Sequence, residues 1–328
     1  MNDFGKIFKI NIYGESHQTS VGVLIDGIPA GIALNEKDFE ADLDRRKPHK
    51  ESQTKRIEAD YPIIESGLFN GYTTGAPMLI RFLNQNVSSK DYSNLVIHPR
   101  PGHADFTEHV KYHGFNDYRG GGHTSGRLTC GIVAAGVIAK KIIPFTFETK
   151  IIKLGNLNDL SQKDEYLHEI SKSGDSVGGV IQIKVSNMKV GLGEPFFYST
   201  ESSIASILYS IGAVKGVSFG IGFDGYKLLG SEFNDLIVDE NGKTSTNNNG
   251  GINGGITNGN DLIINVFIKP TPSIFKEQET FNFDDNKVET LKITGRHDTA
   301  IIERAMIVCE NAVAIALCDL FLLNKAWQ

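Results

Sequence analysis

The 328 residues, 40% of them hydrophobic, suffice to bury a large core in one or two domains. A formal net charge of −6 argues against a nucleic-acid partner, which would favour a basic surface. Cys130, Cys309 and Cys318 lie in apolar segments without a CxxC pair, which predicts buried thiols in a reducing compartment. The stretch from Met1 to Tyr13 alternates apolar and polar residues without an apolar signal core. No apolar run reaches the ~20 residues of a membrane span. The expectation is a cytoplasmic protein with no membrane partner.

Ile7 to Tyr13 alternates like a half-buried strand, Gly14-Glu15-Ser16-His17 forms a polar loop, and Val21 to Ile25 reads as a second strand. A histidine packed with Ser and Glu beside a glycine is a candidate for chemistry as well as for a structural role. Asn35 caps a helix whose apolar stripe is Phe39 and Leu43, and it runs into the basic loop Arg45-Arg46-Lys47-Pro48-His49-Lys50. That loop is either a solvated surface run or a clamp for an anion, to which arginine is suited by its bidentate fork. Ile63 to Phe69 and Met78 to Leu83 read as strands, and 84–94 as a polar loop.

The segment from His98 to Asp105 carries an arginine, a histidine and an aspartate on a backbone stiffened by Pro99 and Pro101, as a positioned general acid requires. His109 and His113 lie four apart on the next short helix. With no third ligand and no HExxH they read as solvated histidines, and no metal is expected. Next comes RGGGHTSGRLTCGIVAAGVIAKK, Arg119 to Lys141: a glycine loop feeding a buried helix, with small hydroxyl-bearing residues and an arginine at its positive end. This is either an anion site or an ordinary capped turn.

Thr146 to Leu154 and Val177 to Val185 read as strands separated by a variable polar segment, 156–175. Ser202 to Ile211 reads as a small helix and Val217 to Phe223 as a strand. By composition 241–261 reads as a flexible linker, although it precedes another strand, Leu262 to Ile268. Finally Gly295-Arg296-His297-Asp298 opens a long apolar helix from Ile301 to about Leu322, a second loop-into-helix unit on the plan of the first.

Taken together, GESH (14–17), RRKP (45–48), RPGHAD (100–105), GGGHTSGR (120–127), GLGEP (191–195), AVKGV (213–217), GGINGG (250–255), KPTPS (269–273) and GRHD (295–298) resemble the chorismate synthase family nearly end to end. The resemblance implies an α+β fold over a single domain, 1–328: a β-α-β sandwich with a central helical layer between antiparallel sheets, assembled as a homotetramer. It implies anti-1,4-elimination of phosphate from 5-enolpyruvylshikimate 3-phosphate to give chorismate, with reduced FMN (FMNH2) as cofactor and no net redox change. By the same resemblance Arg45, Arg46, Arg100, Arg127 and Arg296 would bind the anionic substrate. His17 would protonate the departing phosphate, His103 would sit by the flavin, and Asp298 would assist removal of the C6 proton, with Ser16 and Ser125 in a proton relay. FMN would lie along His123, Thr124, Ser125, Gly212, Ala213, Gly254, Lys269, Pro270, Thr271, Pro272, Ser273 and Arg296, which makes 241–261 a flavin-contacting loop instead of a linker.

Departures from the family pattern are Gln18 after GESH, His123 where the family carries an arginine, a short 150–176 segment, and a shortened basic loop in which Lys50 is a substitute. Some members also reduce flavin with NADPH. This chain has no Rossmann glycine fingerprint, so the expectation is a monofunctional enzyme supplied by an external flavin reductase. A P-loop NTPase is excluded because GGGHTSGR lacks the lysine and spacing of GxxxxGK[ST].

Overall fold

The computed structural model describes residues 1–49, 58–86, 95–293 and 298–327. Its helices are α1 (Glu40–Arg46), α2 (Asp105–Lys111), α3 (Thr129–Ile142), α4 (Lys163–Lys172), α5 (Thr200–Ser210), α6 (Gly230–Phe233) and α7 (Ile302–Lys325). One antiparallel sheet has the strand order Asp3–Phe4, Lys9–Gly14, Ser20–Asp26, Met78–Leu83, Ile63–Ile64. The other has the order Val214–Phe219, Leu262–Ile268, Gly179–Ser186, Thr146–Leu154.

The helices α3 and α7 separate the sheets. The first packs on Ser20–Asp26 and Met78–Leu83, the second on Thr146–Leu154 and Gly179–Ser186, and they pack on each other. Being covered on all sides, α3 is buried without a break from Cys130 to Ala139, which is why its sequence shows no polar face. The two helices cross closely at Gly136, where a Cβ would lie 2.2 Å from the Cβ of Asn311. This α+β arrangement is the layered fold the family resemblance implied.

By length and composition α7 could cross a bilayer, contrary to the reading that no run was long enough, but 78% of its apolar window is buried in the fold. Its buried Asp319 accepts hydrogen bonds from the N–H groups of Lys6, Ile7 and Phe8 and from the Tyr198 hydroxyl. All three cysteines are buried free thiols, and burial pushes Cys130 up to about 11.

Several elements differ from the sequence reading. The strand expected over 63–69 is interrupted at Gly67, whose φ is +81°. The polar segment 156–175 contains α4, and His113 lies beyond the end of α2 in a left-handed conformation with φ +55°. The strand expected over 217–223 is Val214–Phe219. A hairpin, Gln278–Asn282 with Lys287–Leu291, was not anticipated. The linker reading of 241–261 fails because Asp235 gathers the backbone N–H groups of Asn248 and Asn249 and the Thr246 hydroxyl.

Candidate active site

The glycine loop is the hub of the site. Gly120, Gly121 and Gly122 all have positive φ, +60°, +80° and +49°, a region that favours glycine. A Cβ on Gly120 would sit 2.6 Å from His17 Nε2 and 2.8 Å from Ser16 Oγ. One on Gly121 would sit 3.6 Å from His103 Cε1 and 3.7 Å from Ser125 Cβ. The bare backbone therefore threads between four of the expected catalytic side chains, drawn from three separate parts of the chain. Gly122 O accepts the Ser16 N–H at 3.0 Å, Thr124 Oγ1 donates to Gly121 O at 2.9 Å, and Ser125 Oγ accepts the Arg127 N–H at 3.3 Å.

His103 stands on the proline-stiffened segment. Its Nδ1 is 2.7 Å from Asp105 Oδ1 and 3.1 Å from an Arg100 guanidinium nitrogen. The Asp105 carboxylate also accepts from Arg100 Nε and Nη2, both at 2.8 Å, while Arg100 Nη1 donates to Ser273 Oγ at 3.0 Å. Burial opposes ionisation of Asp105, yet the hydrogen bonds from Arg100 and His103 outweigh it and hold the carboxyl well below the usual range. The 278–291 hairpin braces this segment, Thr280 Oγ1 donating to Pro99 O at 2.7 Å and Phe283 stacking on Phe106 with ring centroids 5.6 Å apart.

A second carboxylate, Asp60, organises two more arginines. Both Arg46 and Arg127 pair with it, and all three side chains are buried. Burial raises the Asp60 pKa, but the two guanidinium groups lower it further, so it stays ionised. Arg127 also donates to Asn84 Oδ1 at 2.9 Å and Leu83 O at 3.1 Å. The Nε of Arg46 is buried with no partner among the described residues. Arg45, one residue earlier, goes elsewhere, to Glu310 on α7 and to Asp42 on its own helix. Asp298 is buried and bonded by Arg304 Nη1 at 2.8 Å, and Arg304 Nε donates to Arg46 O at 2.8 Å. Arg304 thus joins the Asp298 and Arg46 clusters.

The segment Lys269–Ser273 meets the His103 loop. Lys269 Nζ donates to Gly102 O at 2.6 Å, and the Lys269 N–H donates to Ala213 O at 2.9 Å. Burial and the neighbouring Lys215 lower the Lys269 pKa. The donor chemistry of this corner suits an anion such as a flavin phosphate. Thr271 Oγ1 is buried without a partner among the described residues, and Gly212 has open space where its Cβ would be. His123 lies across the glycine loop, its Nδ1 2.7 Å from Gly14 O and its Nε2 3.2 Å from Asn2 Oδ1.

Gly254 stands apart from this corner. Its turn packs on the start of α5, where Thr200 N donates to Gly255 O at 2.9 Å, and Thr257 links it to Gly191 near the C-terminal end of α7. Lys269 follows the far end of the strand Leu262–Ile268, and Asp298 precedes the start of α7, which is about 36 Å long at 1.5 Å per residue. Arg296 and Lys50 lie outside the described residues.

Sequence reasoning missed Asp60, Asn84 and Arg304. None stands in a motif. The only available signal was the need of buried arginines for counter-ions.

Residues 8–322 match the family described as chorismate synthase. The chorismate synthase of Chitinophaga pinensis is 51% identical over 325 residues, which cover 99% of this chain and 98% of that protein. That of Thermococcus gammatolerans is 41% identical over 350 aligned positions with the same coverage. A solved structure described as a crystal structure of chorismate synthase superposes with a TM-score of 0.74 at 24% identity, covering 98% of this chain and 93% of that one. At that identity it bears on the fold alone.

Proposed function

Because the chain belongs to the chorismate synthase family, and so is a carbon–oxygen lyase of the shikimate pathway, we propose that it converts 5-enolpyruvylshikimate 3-phosphate to chorismate and phosphate by anti-1,4-elimination with reduced FMN. The observation that carries this reading is the glycine loop, which brings Ser16, His17, His103 and Ser125 around one strip of bare backbone.

The substrate's two carboxylates and phosphate would be held by the remaining N–H groups of Arg46, Arg100 and Arg127, together with Arg296. Arg45 is left out of this clamp, since Glu310 and Asp42 engage it. His17 would donate a proton to the leaving phosphate, neutralising the charge that develops there, with Ser16 and Ser125 relaying protons beside it. Asp298, oriented by Arg304, would assist removal of the C6 proton. Reduced FMN, when bound, would supply electron density to the electron-poor transition state. His123, Thr124, Gly212, Ala213 and Lys269–Ser273 would hold that cofactor, with His103 beside it. Gly254 would join them only from another copy of the chain, in keeping with a homotetramer.

We place the enzyme in the cytoplasm, supplied by a separate flavin reductase. The test is anaerobic phosphate release from 5-enolpyruvylshikimate 3-phosphate. Release with photoreduced FMN and none with oxidised FMN is the expected result. Turnover on NADPH and FMN alone, without reductase or dithionite, would remove the monofunctional reading.

A further inference from the structure

The buried carboxylate of Asp105 touches the imidazole of His103 and the Nε–Nη2 edge of the Arg100 guanidinium, and nothing in the proposed chemistry uses it. We propose that Asp105 is a positioning residue that fixes His103 in the tautomer with its proton on Nδ1, leaving Nε2 beside Gly121 as the working nitrogen. The proposal rests on the reading of His103 as a member of the active site.

Two neighbours compete for His103 Nδ1. Asp105 Oδ1, at 2.7 Å, can only accept; the Arg100 guanidinium, at 3.1 Å, can only donate. Were Nδ1 bare, its lone pair would face a carboxylate oxygen at 2.7 Å. With a proton on Nδ1 the contact becomes a charge-assisted hydrogen bond. The same Arg100 nitrogen already has a partner in Asp105 Oδ1 at 2.8 Å, so it needs nothing from the ring. The carboxylate therefore sets the tautomer, and the arginine sits against the ring as a neighbouring charge. Because Arg100 Nη1 also holds Ser273, the same carboxylate keeps His103 in register with the Lys269–Ser273 segment.

Asp105→Asn separates orientation from packing. The single amide oxygen goes to Arg100, so the amide N–H₂ faces Nδ1 and drives the ring proton to Nε2. Such a reversal of tautomer costs a His–Asp pair up to about 10⁴-fold in kcat in other enzymes. Here we expect kcat for phosphate release to fall on the order of 100-fold or more, with KM changed less than about threefold. His103→Ala in the Asp105→Asn background should then lose no more than His103→Ala alone.

Nitrogen NMR of the wild-type protein, at a pH where the ring is neutral, reads the tautomer directly, the His103 signal being identified by its loss in His103→Gln. A proton on Nδ1 supports the proposal, and one on Nε2 overturns it whatever the variants do. Wild-type kcat in a folded Asp105→Asn variant also overturns it. If the wild-type protein releases no phosphate, the functional reading fails, while the NMR measurement still decides the tautomer.

Discussion

Arg45 and Arg46 are adjacent at the end of α1 and share almost nothing else. A helix turns about 100° per residue, so one guanidinium lies half exposed against Glu310 and Asp42, while the other is buried against Asp60 beside Arg127. A basic run in a sequence is therefore not one clamp. The first arginine stitches α1 to the helical layer. The second belongs to a buried triad of two guanidinium groups and one carboxylate, which carries a single net positive charge.

The strongest way to break this contrast is Asp60→Ala, which strands two buried guanidinium groups. It should destabilise the fold by about 3–5 kcal/mol, read as a lowered urea midpoint, with phosphate release lost alongside. Arg46→Lys replaces a fork by a point charge while Arg127 still pairs Asp60. About 1.5–3 kcal/mol is expected to go, with a raised KM for 5-enolpyruvylshikimate 3-phosphate as the measured sign.

Acid offers a subtler test. The Asp60 carboxyl is depressed in the folded state, so its contribution is present above the unfolded carboxylate pKa of about 4 and is lost as pH falls through the folded value. The difference in melting temperature between wild type and Asp60→Asn should accordingly be full near neutral pH and shrink as pH falls below about 4. Arg45→Ala sits at the small end. A partly exposed pair contributes about 0–1 kcal/mol, and turnover should stay near the wild-type value. A rise in KM comparable to that expected of Arg46→Lys would erase the distinction between the two arginines.

The strands Lys9–Gly14, Ser20–Asp26, Met78–Leu83 and Leu262–Ile268 were legible because their apolar residues follow the pleat. The helices α3 and α7 were legible because burial on every side leaves an apolar run. By contrast α4 was not, since Leu167 is its only buried residue and a weak stripe reads as loop. Composition misjudged 241–261 because Asn, Gly and Thr look the same in a linker and in a loop tied down by Asp235. In the site, the family motifs located the glycine loop and the His103 segment. The pairing of Asp60 with Arg127 spans 67 residues and leaves no local trace, and Arg304 is one of several charged residues on a mainly apolar helix, with nothing in its neighbours to single it out. Long-range counter-ions are invisible to patterns a few residues wide.

The place of α7 in the layers has a consequence for biosynthesis. Both sheets are translated before residue 302, yet the helix that separates them follows. At the roughly 5–20 residues per second of translation, the inner faces of the two sheets must wait for α7, with only α3 and the shorter helices α1 and α5 available to cover them. Until residues 302–325 have been made and packed, the nascent chain presents these apolar faces to solvent. A chaperone that shields sheet faces would act on this protein in the interval between completion of the strands and the packing of α7.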